Sequence, residues 1–404
     1  MRKKLKAGTL VYVIVLSLII MSMLGLIIMR NHYLTININF EEERESLRDN
    51  INSAVCILEE DSNLLEYDKE QAIFEGSRIK VTVSKQIWGM LDLVKIKARG
   101  RVFCDSVMML STGMKAKEDS TALWITDKRN YISIGGEALL KGKCYIPRLG
   151  VRKGYVEKRS YGRDKVIYGE VKRSKSHLPA LFKDISQRYT EAYKYEEVSE
   201  LESLELENKF SAKTVVIYSS EDIDLTGIKL TDNIKVISEQ RILVDSTSRL
   251  DKVILCAPEV FLGEGFRGNL QAFVGCRMTV GEGVHMEYPS YVFMKSRVGN
   301  VEIHIEEGAD ICGAVILYGN DESVLRSTSE SVIKGQVYVK GRSSLQGKIY
   351  GSAYLDKLFF NTRWSKYEDI FYNTEIDRTR LENEMPVLNL FGDSQKQILV
   401  EWVN

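Results

Sequence analysis

The densest run of chemistry-bearing side chains lies between Lys141 and Lys175, where 12 bases stand against three acids, a net charge of +9. Arg148, Arg152, Lys153, Lys158, Arg159, Arg163 and Lys165 form its centre, with Tyr145, Tyr155, Tyr161 and Tyr168 interleaved. Positive charge at that density attracts a polyanion, and tyrosine rings stack on bases or sugars. DNA, an acidic glycan or lipid headgroups would each suit such a surface. The competing reading is structural. Residues Glu191 to Glu207 hold seven acids and one base, so the two segments could neutralise each other within the fold.

Other arrangements that could carry chemistry are thin. His285 and His304 stand near Glu282, Glu287, Glu302 and Glu306, as a metal or acid–base site would require, but glutamates beside solvated turns are the ordinary case. Six cysteines (Cys56, Cys104, Cys144, Cys256, Cys276 and Cys312) include no Cys-x-x-Cys, and they read as small buried residues rather than a disulfide framework. Cys256 and Cys276 lie one repeat apart and could approach each other. Gly263-Glu264-Gly265 and Gly281-Glu282-Gly283 lack the Gly-Lys-Ser/Thr of a phosphate loop. Hydrolase elbows and phased acid pairs for glycan cleavage are missing as well. The expectation is a protein without catalytic residues, cofactor or metal.

The elements that would position these residues are mostly strands. Glu259 to Phe266 and Arg277 to Val284 both end in apolar-Gly-Glu-Gly-apolar, displaced by 18 residues. Leu243-Val244-Asp245-Ser246-Thr247 matches one step earlier without glycine, and Ile303 to Ala309 repeats the theme later. Gly335, Gly341, Gly347 and Gly351 punctuate the final strand-like runs. A short period of this kind, with two or three strands per repeat, marks a β-solenoid, whose coils bury apolar rows by stacking. The fold class expected is mainly β: a right-handed parallel β-helix with an N-terminal transmembrane helix and a short helical insertion.

The composition agrees: 404 residues, 44% hydrophobic, five prolines, and 56 basic against 56 acidic side chains exclude a disordered chain and give no overall basic excess for nucleic acid. Residues 7–29 form a run of 23 without a charge, as long as a bilayer-spanning helix. Four bases precede it and Glu41-Glu42-Glu43 follow, so the positive-inside rule puts residues 1–6 in the cytoplasm and the bulk of the chain outside. Leu47, Ile51, Ala54, Val55 and Leu58 repeat at helical spacing, with a break expected at Thr35-Ile36-Asn37-Ile38 and Asn39 as the cap. The expected layout is a basic leader over 1–6, a membrane helix over 7–29 and a membrane-proximal region over 30–120. A solenoid over 121–360 comes next, with a charged helical insertion at 168–210, and a cap over 361–404. Whether 121–146 belongs to the same solenoid as the later coils stays open at this point.

The join Lys4-Leu5-Lys6-Ala7-Gly8-Thr9-Leu10 resembles the start of type IV pilins and type II secretion pseudopilins. That resemblance implies leader cleavage after Ala7 or Gly8, so that Ala7, Gly8 and Thr9 are the processing candidates. Most such subunits carry a glutamate at the fifth mature position; here it is Tyr12 or Val13, as in the K-type minor pseudopilins that cap a filament. Ile146 to Tyr155 and Ile376-Asp377-Arg378 resemble an uncharacterised group of membrane-anchored bacterial surface proteins, which implies no activity. The functional expectation is a non-enzymatic, inner-membrane-anchored envelope protein with its bulk on the periplasmic side. Its partners would be the membrane and pilus or secretion-machine subunits, with acidic glycan or DNA as alternatives. A membrane-tethered glycan-binding or glycan-active protein and a self-associating structural solenoid are the rival expectations.

Overall fold

The computed structural model describes residues 7–60, 65–74, 78–156, 159–195, 197–199, 203–296, 299–392 and 396–403. Half of the chain is β-strand, arranged as a β-solenoid of about 11 turns, and one long helix stands near the N-terminus. The chain divides into two compact units. The first comprises Met1–Cys56, Glu70–Val83 and Ile96–Val107, and the second Ile57–Lys69, Ser84–Lys95 and Met108–Asn404.

Helix α1 (Ala7–Glu60), which belongs to the first unit as far as Cys56, is one uninterrupted helix of 54 residues, about 80 Å at 1.5 Å per residue. The break expected at 35–38 does not occur. β-Branched residues cost a helix only a few tenths of a kcal/mol each, roughly 0.5, and the Thr35 hydroxyl is satisfied by donating to the Asn31 carbonyl at 2.9 Å. Ser17 and Ser22 likewise donate to the carbonyls of Ile14 and Ile19. Residues Leu10 to Met29 are exposed throughout, and the helix is long and apolar enough to cross a bilayer. Nor do the acids at 41–43 cap a helix end. Glu43 accepts the backbone N–H groups of Val102 (2.8 Å) and Phe103 (3.2 Å), and these bonds lower its pKa.

The second unit is built on the solenoid, whose coils have three sheets, here A, B and C. Residues 205–224 form coil 1, and coils 2 to 8 succeed it in chain order, ending with Gly347–Asn361. Pairing between coils is parallel: Leu230↔Leu250 on sheet A, Val236↔Leu255↔Ala272 on B and Ile242↔Val260↔Met278 on C. The interior is a column of residues of the same phase, among them Leu250, Leu255, Val260, Ala272 and Met278, all essentially without solvent contact. The repeated Gly-Glu-Gly is the corner from sheet C to sheet A, where Gly265 and Gly283 take φ of +70° and +62°. In coil 2 the carboxylate of Asp245 makes this turn instead, accepting the N–H groups of Thr247 and Ser248 at 3.1 Å.

The strands at 121–146 belong to the same solenoid, but not at its start. Thr121–Ile125 pairs with coil 8 (Ala353↔Leu123 to Leu355↔Ile125), and so does Thr374–Asp377 (Gly347↔Thr374 to Ile349↔Ile376). Coil 9 is therefore spliced from two chain segments nearly 250 residues apart. Leu139–Lys141 and Lys143–Ile146 make coil 10, and Ile167–Tyr168 with Val171–Arg173 make coil 11. Part of the insertion expected at 168–210 is thus the outermost coil, and part of the cap expected at 361–404 is coil 9.

From coil 11 the chain must return to coil 1, and it does so along the outer face of sheet B. Pro179 accepts from the Tyr338 hydroxyl of coil 7, and Tyr189 on α2 (Lys183–Ala192) packs edge-on against Phe293 of coil 5. Tyr193 then donates to the Phe273 carbonyl of coil 4, and Ser199 reaches Val216 of coil 1. Sheet B can carry this strap because its outward positions are apolar too: Ile254, Phe273, Phe293, Tyr338 and Tyr354 are buried by it and by the C-terminal residues 388–391. Asp92, buried, ties the strap to residues 84–95, with Lys85 at 3.1 Å and Arg188 at 2.5 Å. Burial raises the pKa of Asp92, but these two cations outweigh it and hold the carboxyl below its ordinary value.

Candidate functional site

Coil 11 and the residues around it carry the basic run. Sheet C reaches this end as Val151–Lys153, paired with Ile132–Gly135 through Val151↔Ile132 and Lys153↔Ile134. The strands of coil 11, Ile167–Tyr168 and Val171–Arg173, have coil 10 on one side, and among the described residues no strand lies on the other. The open interior is plugged by Val156 and by Tyr161, whose hydroxyl donates to the Lys165 carbonyl at 2.9 Å. Burial raises the pKa of that phenol.

With the interior plugged, the bases are turned to solvent. Arg148, Arg152, Lys153, Lys165, Lys172, Arg173 and Lys175 are exposed, as are Tyr155 and Tyr168. Lys141 pairs with Asp377 at 3.2 Å and Lys172 with Glu170 at 3.1 Å. Among the described residues, no acid lies within ion-pair distance of Arg148, Arg152, Lys153, Arg163, Lys165, Arg173 or Lys175. Arg152 sits 5.6 Å over the Tyr131 ring and donates to Ser133, and Lys153 sits 5.9 Å over Tyr161. Arg163 is half-buried, and its Nε lacks a hydrogen-bond partner. Lys158 lies outside the described residues, and so does the side chain of Arg159. Ala7, Gly8 and Thr9 form the first turn of α1.

The acidic segment does not neutralise this surface. Of its described acids, Glu197 and Glu205 lie at the opposite end of the stack and pair with Lys213 at 3.1 Å and Lys229 at 2.5 Å, while Glu191, on α2 beside coils 3 and 4, pairs with Lys194 at 2.6 Å. With strands about 4.8 Å apart, ten steps along the solenoid separate the ends by about 48 Å. That is several Debye lengths at physiological salt.

The histidines do not converge. His285 Nδ1 is 3.3 Å from Asp310 on sheet A, where Lys334 also meets Asp310 at 2.7 Å, whereas His304 Nε2 is 3.3 Å from Glu302 on sheet C. Among the described residues, no group of three or more His, Cys, Asp or Glu is placed to hold a metal ion. All six cysteines are free thiols; Cys256 is buried with its Sγ 3.4 Å from the Ala192 carbonyl, and Cys276 is exposed.

One feature of the second unit carried no sequence signal. A cleft of about 1120 Å³ opens between the strap, residues 86–93 and coils 1 and 2, lined by Tyr67, Trp88, Tyr195, Phe210, Lys213 and Lys235 among others. Burial lowers the pKa of Lys235, and the Nε1 of Trp88 is buried without a partner. Its walls come from five separated stretches of chain, each of which reads as ordinary core or surface.

No protein-family model, curated protein or solved structure matches the chain. The pilin-like and surface-protein resemblances therefore rest on the residues quoted for them alone.

Proposed function

We propose that this chain is a non-enzymatic, membrane-anchored envelope protein that works by binding partners at the ends of its solenoid. One observation carries the reading: a stack of about 11 coils separates a basic end from an acidic one, on a chain with an exposed apolar helix. The helix would hold the protein in the inner membrane with residues 1–6 cytoplasmic and the solenoid periplasmic. In its finer form the reading makes the protein an accessory or minor-pseudopilin-like subunit of a type IV pilus or secretion-like assembly. Membrane fractionation with alkaline carbonate extraction tests the anchor, and N-terminal sequencing of the recovered protein tests the pilin-like form. A start at Gly8 or Thr9 supports leader cleavage. An intact Met1 removes the pilin-like form and leaves a static anchor, and release by carbonate removes the anchor.

A second reading is favoured by the exposed bases around coil 11 that have no acid within ion-pair distance among the described residues, Arg148, Arg152, Lys153, Lys165 and Arg173, beside Tyr155 and Tyr168: the end binds an acidic glycan or DNA. Retention on heparin that falls steeply with salt supports it. Elution at low salt rules it out.

A further inference from the structure

We propose that the solenoid assembles head to tail with further copies of itself, the basic coil 11 of one molecule docking on the acidic coil 1 of the next. This deepens the envelope-protein reading by naming the partner at the solenoid ends, and it rests on that reading.

The described residues of coil 1 and of the chain leading into it, within 197–224, hold six acids and two bases, a net charge of −4, against ten bases and two acids, a net of +8, among the described side chains of 141–175. Both ends therefore carry strong charge, and the signs are opposite. The strand polarity matches as well. Every coil-to-coil pairing in the stack is parallel, so a copy translated along the axis presents coil 1 to coil 11 in the same sense as any neighbouring pair. Sheet A is open at both ends: Glu205–Asn208 pairs with coil 2 and Ile167–Tyr168 with coil 10, and among the described residues neither has a strand on its outer side. Glu205 and Glu207 are exposed on the sheet A strand of coil 1, and Lys172 and Arg173 are exposed on the adjoining sheet B strand of coil 11.

Edge strands bearing charge of one sign resist pairing with themselves, which excludes like-to-like contact of either end. They leave a single attractive pairing, basic on acidic. Such a contact is heterologous and does not close on itself, so it yields linear stacks rather than a dimer. An acidic polymer could compete for coil 11, but coil 1 would repel it, whereas a second copy uses both ends.

The test is sedimentation of the full-length chain in detergent, with two variants: Lys172→Glu/Arg173→Glu, whose basic end loses four units of positive charge, and Glu205→Lys/Glu207→Lys, whose acidic end loses four units of negative charge. The wild type should sediment as a concentration-dependent series of oligomers that shrinks in 1 M salt. Each variant alone should self-associate about tenfold more weakly. An equimolar mixture should form a species larger than either variant alone, because the intact basic end of the Glu205/Glu207 variant docks on the intact acidic end of the Lys172/Arg173 variant. Circular dichroism of each variant establishes that it is folded. A wild type that stays monomeric at every concentration overturns the proposal, as does a mixture no larger than its components. Loss of heparin retention in the Lys172/Arg173 variant with unchanged sedimentation assigns the end to an acidic polymer and also overturns it. Carbonate extraction of the same wild-type preparation reports separately on the anchor, so failure of the stacking and failure of the envelope reading are distinguishable.

Discussion

Coils 3 to 7 and coil 9 occupy equivalent places in one stack, yet they are held together differently. In coils 3 to 7 each sheet succeeds the last along the chain, and glycine corners let successive backbones approach. Gly313 and Gly335, of coils 6 and 7, stack in register with Gly351 of coil 8 at φ of +146°, +138° and +153°, and a Cβ on Gly335 would fall on the Gly313 carbonyl. Coil 9 lacks chain continuity between Asp377 and Thr121, and side chains replace it. The guanidinium of Arg378, itself buried, donates to the carbonyls of Asp119 (3.0 Å) and Ala116, while Tyr354 (2.6 Å) and Ser352 (3.3 Å) of coil 8 donate to the Asp119 carboxylate. The Arg378 pKa is lowered by burial, a sign that these bonds are made away from water. The lesson is that a solenoid's repeat is a property of stacking. Any segment presenting the right apolar phase can complete a coil, provided something polar closes the corner.

The comparison breaks most severely at the splice. Arg378→Ala should destabilise the protein by about 3–5 kcal/mol, because it leaves buried carbonyls without donors at a junction that no backbone spans. Hydrogen exchange should show Thr121–Ile125 losing protection while Arg249–Leu262 keeps it. Equal loss in both strands would mean the splice and the continuous coils melt as one unit. In the continuous region, Gly335→Ala should cost about 2–3 kcal/mol by denaturant unfolding, since an L side chain is strained there and meets a stacked backbone. A neutral result would show that the corners yield, and that glycine is not what sets the spacing.

Acid gives the smallest and most local effect. Asp377, buried in coil 9, is pushed up by burial, but bonds from Thr379 and Lys141 outweigh this and lower its pKa. A carboxyl depressed in the folded state stabilises it above its ordinary value of about 3.8 and ceases to do so as the pH falls through the lowered one. Between pH 5 and 2 the Asp377→Asn variant should therefore lose less stability than the wild type. Parallel acid-unfolding curves would detach Asp377 from the acid sensitivity of coil 9.

Much of the solenoid was legible in local pattern. The 18-residue displacement of Gly-Glu-Gly located a real corner, and Asp245 stood in for glycine where the sequence had none, because an Asx turn satisfies the same backbone. Of the helically spaced Leu47, Ile51, Ala54, Val55 and Leu58, four are buried and Val55 is half-buried. The break at 35–38 was misread because β-branching is a weak signal, and one back-bonded threonine suffices to carry the helix through. The basic run was legible as a cluster, but not its exposure, since charge counts do not say which end of a stack a segment occupies. The cleft was not legible at all.

The sequence by itself determined the coil: its period, its apolar interior, its corners and the apolar helix before it, all of which depend on residues within about one repeat. Only the tertiary structure decided the order of the stack. Residues 121–173 add to the far end rather than the near one, a strap carries the chain back over sheet B, and opposite charges face outward at the two ends. Parallel strands of the same phase offer similar local pairing at either end, so coil order is fixed by contacts between distant segments, Arg378 with Asp119 and Tyr189 with Phe293 among them.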